Sequence, residues 1–165
     1  MVVRKTLFKI LLLWVCLAMI VGKAATQERS EIPPFSMTLS NGQYFNAARM
    51  PKGKPVLLIY FDPECEHCHT LMNSYFNQPA LFENAEVVMV TFKPLSELQA
   101  FVQSYQVHKY PNIKVGTEGK TYYLSIYYRM QSMPFVALYN KNGKLIASYQ
   151  KDVPFEALRK KLKQL

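Results

Sequence analysis

Cysteine is scarce in this sequence: three in 165 residues, at Cys16, Cys65 and Cys68. A small exported scaffold stapled by disulfides carries several pairs at wider spacing, so that class is excluded. No internal repeat and no low-complexity segment is present. No apolar run reaches the ~20 residues of a spanning helix; the longest, Ile10 to Gly22, is about a dozen. Acidic residues are few, 11 against 20 Lys and Arg, which gives a formal charge of +9. What is abundant is apolar: hydrophobic residues make up 50% of the chain, with 11 Tyr and 10 Phe. That excludes a disordered chain, and the length suits one domain with a sizeable core.

The N-terminus is set apart from fold reasoning. Arg4, Lys5 and Lys9 form a basic front to the apolar run, and the small residues Gly22, Ala24 and Ala25 follow it. This is the outline of a secretory signal. Residues 1–24 are expected to be a signal peptide or a membrane anchor, with cleavage after Ala24 favoured. Cys16 lies within the apolar run behind Trp14-Val15, a poor match to a small-residue lipid-attachment box, and is expected to be an ordinary signal residue. Without residues 1–24, which hold four bases and no acid, the charge falls to +5. Export places the protein in the periplasm or cell envelope and leaves it a single close pair of cysteines. Such a pair closes a tiny loop and stabilises a fold little, so it points to chemistry.

That pair sits in the stretch Pro55-Val56-Leu57-Leu58-Ile59-Tyr60-Phe61-Asp62-Pro63-Glu64-Cys65-Glu66-His67-Cys68. The apolar run predicts a buried strand of a parallel sheet. Beyond it the period becomes helical: Cys68, Leu71, Met72, Tyr75 and Phe76 share one face. Cys68 therefore faces the core, and Cys65 lies at the helix mouth. Two thiols so placed can make and break a disulfide.

Residues 25–34 read as a flexible lead-in, and residues 35–165 as one folded domain. Asn41-Gly42 between alternating apolar residues predicts a hairpin. Val87 to Phe92 predicts a second buried strand, and Leu95, Leu98, Phe101, Val102 and Tyr105 a helix after it. This β-α-β-α order implies parallel strands with right-handed crossovers. Asn112 to Val115 is expected to be a short strand. Tyr122 to Tyr128 is expected to be a helix with Tyr123, Leu124 and Tyr127 on its core face. Phe135–Tyr139 and Leu145–Tyr149 form an antiparallel hairpin around Asn140–Gly143. A last helix follows Asp152-Val153-Pro154, with Phe155, Leu158, Leu162 and Leu165 on its apolar face. Its basic end, Arg159, Lys160, Lys161 and Lys163, is a solvated and dipole-favoured C-terminus; no nucleic-acid partner is expected.

With the CxxC at a strand–helix junction and Pro134 opening a later strand, the chain from Phe35 to Leu165 resembles the thioredoxin-fold superfamily. The N-terminal hairpin is similar to that of the TlpA/ResA-like redoxin branch of thiol:disulfide oxidoreductases. The resemblance implies a three-layer α/β fold: an N-terminal β-hairpin, a central mixed sheet and an insertion, Val107 to Met130, before a cis-Pro. It implies an enzyme without cofactor, exchanging the Cys65–Cys68 dithiol and disulfide with protein substrates and with an upstream redox partner. A helix N-terminus favours thiolate, so Cys65 attacks and Cys68 resolves. His67, when protonated, stabilises the thiolate, and the family's strongly oxidising members carry His there; Glu66 acts in the opposite sense. Pro134 is implied to be cis and to expose the backbone of Met133 for pairing with an extended substrate segment. Three departures stand out. The family's tryptophan before the first cysteine is Glu64 here, its common proline before the second is His67, and the buried acid of plain thioredoxin is Ile59. No Pro and Thr precede a lone cysteine, so peroxiredoxin chemistry is rejected.

Other functions compete for the same residues. Cys65-Glu66-His67-Cys68-His69 satisfies the c-type haem pattern C-x-x-C-H. A core-facing Cys68 opposes it, because a thioether there would displace Leu71 and Met72. Cys65, His67, Cys68 and His69 are also metal-ligand types, but four ligands within five residues of one helix start do not easily close a tetrahedron. A non-catalytic binding module is the remaining alternative.

Overall fold

The computed structural model describes residues 30–165. The expected signal or anchor, residues 1–24 with Cys16, lies outside the described residues. Of the expected lead-in, Glu31 forms an antiparallel bridge with Lys144, and Ile32 packs against the core.

Among the described residues seven strands form one mixed sheet: β1 Ser36–Leu39, β2 Tyr44–Asn46, β3 Val56–Tyr60, β4 Glu86–Thr91, β5 Ile113–Thr117, β6 Phe135–Tyr139 and β7 Leu145–Gln150. Among the described residues four α-helices join them: α1 Glu66–Phe76, α2 Leu95–Ser104, α3 Tyr123–Tyr128 and α4 Phe155–Leu162. The strand order is β2-β1-β5-β4-β3-β6-β7. The β3–β4 and β4–β5 pairs are parallel, as β-α-β crossovers require, and the other pairs are antiparallel. The mixed α/β architecture with an N-terminal hairpin is the one expected.

Side-chain alternation builds a core on each face of the sheet. Leu57 and Ile59 of the central strand β3, and Phe61 just beyond it, pass to one side, with Val87 and Met89 of β4. Helices α1, α2 and α4 cover that side with Cys68, Leu71, Met72, Tyr75, Leu98, Phe101 and Leu158. Val56, Leu58 and Tyr60 pass to the other side and meet Phe35, Met37, Phe45, Leu124 and Tyr128. Both faces of β3 and β4 are thus covered, which is why their sequences are continuously apolar rather than alternating. Each fully buried Leu or Met contributes roughly 1.5–3 kcal/mol.

The Val107–Met130 region supplies β5 and α3. The helix occurs, but its core face is turned from expectation. Leu124 and Tyr128 are buried, Tyr127 is half-buried and Tyr123 is 38% exposed. Tyr128 is packed in the core, and its buried hydroxyl is satisfied by a hydrogen bond with the Tyr139 hydroxyl of β6. At the other end of α3 the buried Glu118 accepts from the Tyr60 hydroxyl (2.7 Å) and from the Leu124 amide (3.1 Å). Burial raises the Glu118 carboxyl above its usual range, and these hydrogen bonds pull it back.

Candidate active site

The site stands at the C-terminal end of β3, where the chain leaves the sheet and turns into α1. Asp62 builds the turn. Its Oδ1 accepts the Glu64 amide (2.9 Å) and its carbonyl accepts the Cys65 amide (3.1 Å). Cys65 occupies the N-cap position of α1 with an extended backbone, and its carbonyl takes the first helical bond, from His69 N–H (3.0 Å). Its side chain is half-buried. Cys68, one turn on, is 2% exposed among Leu71 and Met72. Both cysteines are free thiols.

The two sulfurs differ in environment as the helical phase requires. Burial pushes the Cys68 thiol far up, and its neighbours Cys65 and Asp62 add to the effect; the Asp62 backbone opposes it. Cys65 instead faces the loop before β6, where its thiol donates toward the Met133 carbonyl at 3.8 Å. The Met133–Pro134 peptide bond is cis. Its neighbourhood is pinned from β7. The Gln150 Oε1 accepts the amides of Gln131 (2.8 Å) and Ser132 (3.3 Å), and the Lys151 amide donates to the Pro134 carbonyl (2.9 Å).

The structure brings Cys65, Cys68, Met133 and Pro134 together. It sends the two histidines elsewhere. His67 Nδ1 lies 3.4 Å from the Asp152 carboxylate, across a groove of about 370 Å³ lined by Leu71, Val153 and Phe155. His69 Nδ1 lies 3.2 Å from the Tyr105 hydroxyl, which also donates to Asn73. Glu66 is exposed in the first turn of α1. Among the described residues no group of three or more His, Cys, Asp or Glu is arranged to hold a metal ion. Cys68, which a c-type haem would need for its second thioether, is 2% exposed.

Sequence reasoning missed a charged cluster beside the cysteines. The Lys93 ammonium, just past β4, meets the Glu64 carboxylate in a short contact, Glu97 at 3.2 Å and Asp62 at 3.8 Å. Glu64 and then Glu97 hold the Lys93 ammonium above its usual range, and Lys93 holds the Glu64 carboxyl below its own. The available signal was topological. Adjacent parallel strands end side by side, so the residues after β3 and after β4 meet. Gln150 was also missed; it lies opposite Phe135 in the β6–β7 register.

A family model described as a thioredoxin-like domain matches residues 47–165. A protein disulfide isomerase-like 2-1 from Oryza sativa subsp. japonica is 24% identical over 98 residues, 59% of this chain. The chain spans only about a quarter of that relative, the match covering 27% of its length. A putative thioredoxin from Neisseria meningitidis superposes with a TM-score of 0.68 at 19% identity, over 83% of this chain and 90% of its own. A secreted Mycobacterium tuberculosis disulfide oxidoreductase homologous to E. coli DsbE gives 0.65 at 19% identity, over 80% and 96%. At these identities the likeness is one of fold.

Proposed function

The chain belongs to the thioredoxin-like domain family, and from that premise we propose that it is an exported thiol:disulfide oxidoreductase whose working pair is Cys65 and Cys68. The observation that carries the proposal is the asymmetry of the two thiols. Cys65 is accessible at the helix N-cap and faces the Met133 carbonyl, while Cys68 is shut in the core one turn behind.

The Cys65 thiolate attacks one sulfur of a substrate disulfide. A mixed disulfide forms, and the other substrate sulfur leaves as a thiolate that takes up a proton. Burial keeps Cys68 protonated and unreactive until then. Cys68 next gives up its proton and attacks the Cys65 sulfur. The Cys65–Cys68 disulfide closes and the second substrate thiol is released. Two electrons have passed from the dithiol to the substrate. A thiol or disulfide partner resets the pair by the same steps reversed. Met133 and Pro134 form the ledge on which an extended substrate segment pairs through its backbone. Of the two residues expected to tune the thiolate, Glu66 stands exposed in the first turn of α1 and His67 is engaged by Asp152.

Residues 1–24 serve as signal peptide or membrane anchor ahead of the 35–165 domain, which places the activity in the periplasm or cell envelope. Their basic front and apolar run support this. So does the fold likeness to a protein described as secreted. In a disulfide-reduction assay Cys65→Ser is expected to abolish turnover, and Cys68→Ser to accumulate mixed disulfides. Wild-type turnover by Cys65→Ser would overturn the proposal.

A further inference from the structure

The loop that delivers Cys65 carries two carboxylates, Asp62 and Glu64, on either side of Pro63. Left alone, both would oppose a thiolate at Cys65. They are not left alone. The Lys93 ammonium reaches both and draws Glu97 of α2 into the same cluster. The Lys93 side chain is only 19% exposed and that of Asp62 22%, while Glu64 and Glu97 face solvent at 73% and 41%, so the cluster is withdrawn from solvent on its Lys93–Asp62 side and open on its glutamate side. Lys93 also lies 5.9 Å from the ring centre of Phe92, which fixes it from the strand side. The same carboxylate that Lys93 faces folds the turn, since Asp62 accepts the amide of Glu64 and its carbonyl accepts that of Cys65.

We propose that Lys93 is a positioning and charge-balancing residue for the dithiol. It clamps the Asp62–Glu64 loop to the end of β4 and offsets the two carboxylates that precede Cys65. The inference deepens the proposed function, because it takes Cys65 as the attacking thiol. The other charged groups near the dithiol are engaged differently. From α1, His67 is paired with Asp152 and His69 with Tyr105, while Glu66 is exposed. From the loop before β6 the Cys65 thiol meets a backbone carbonyl. Lys93 is thus the cation placed on the carboxylates of the cysteine loop.

The test is the rate of Cys65 alkylation by iodoacetamide against pH, read by peptide mass on the reduced full chain. The reaction forms a carbon–sulfur bond, expels iodide and needs no partner protein. Lys93→Met is expected to slow alkylation at pH 7 roughly threefold to tenfold and to displace the rate curve toward higher pH, the direction for losing a nearby opposite charge. Lys93→Arg is expected to stay within about twofold of wild type, since it keeps the charge. Lys93→Met/Glu64→Gln should recover part of the loss, because it removes one of the two uncompensated carboxylates and leaves Asp62. Glu64→Gln alone should accelerate the reaction, which keeps the proposal testable if Lys93→Met does not fold. A wild-type curve for Lys93→Met, or a loss that Glu64→Gln fails to repair, would overturn it. A chain that exchanges no disulfides yet shows this Lys93-dependent curve would sink the proposed function and leave the role of Lys93 standing.

Discussion

Two buried tyrosine hydroxyls, from Tyr128 and Tyr139, are hydrogen-bonded to each other within the core on the α3 side of the sheet. Burial drives both phenols far above their usual range, so both stay neutral. Such a pair is asymmetric in its energetics. Removing one hydroxyl leaves the other buried and unsatisfied, whereas removing both leaves two apolar rings. Tyr128→Phe and Tyr139→Phe are each expected to cost about 1–3 kcal/mol, and the double variant less than their sum. Urea denaturation of the three variants checks this, and strict additivity would refute it. The Lys93 cluster predicts a pH window. The Glu64 carboxyl is lowered from 4.5, so its contribution is present above that pH and is lost as pH falls through the folded value. The Lys93 ammonium is raised from 10.5, so its contribution is present below that pH and is lost as pH rises through the folded value. The stability advantage of wild type over Lys93→Met is therefore greatest between about pH 4.5 and pH 10.5 and shrinks on both sides. An advantage constant with pH would assign the effect to packing.

At the scale of elements, the long apolar segments were legible and the short aromatic one was not. The periods of β3 and α1 run over five and eleven residues, enough to place Cys68 inside and Cys65 at the helix mouth. Helix α3 has six residues, less than two turns, and nearly all of them are large and apolar. Its sequence offers no phase, and its orientation comes instead from Tyr139 on a strand eleven residues away. The clamp at Lys93 was hidden for a different reason, because its charges lie on two separate segments, 62–64 and 93–97, that only the sheet brings together. The N-terminal hairpin was legible in its turn but not in its docking. It joins β5 at Gly116, where an added Cβ would stand 2.7 Å from the Thr38 carbonyl and 2.8 Å from the Met37 sulfur. Gly116→Ala is expected to push β1 away and to cost about 1–3 kcal/mol. Thermal unfolding checks the prediction, and an unchanged midpoint would show that the hairpin gives way freely.

For the whole molecule, β3 and β4 are shared property: their alternate side chains line both cores. A defect in one core is therefore felt through the same strands as a defect in the other. Met72→Ala, in α1, and Leu124→Ala, in α3, are each expected to cost about 2–5 kcal/mol in stability and to lower the midpoint of one common transition. Circular dichroism and tyrosine fluorescence should report coincident curves; two separated transitions would mean that the cores unfold independently. Strand β3 also gives the unit from Glu31 to Leu165 two ends. The chain enters at Glu31, bridged to Lys144 in the turn beside the Val56 end of β3. The cysteines emerge beyond the Tyr60 end. A domain anchored to a bead, an electrode or a bilayer through a linker ahead of Glu31 would thus be held by one end and would offer its sulfurs from the other.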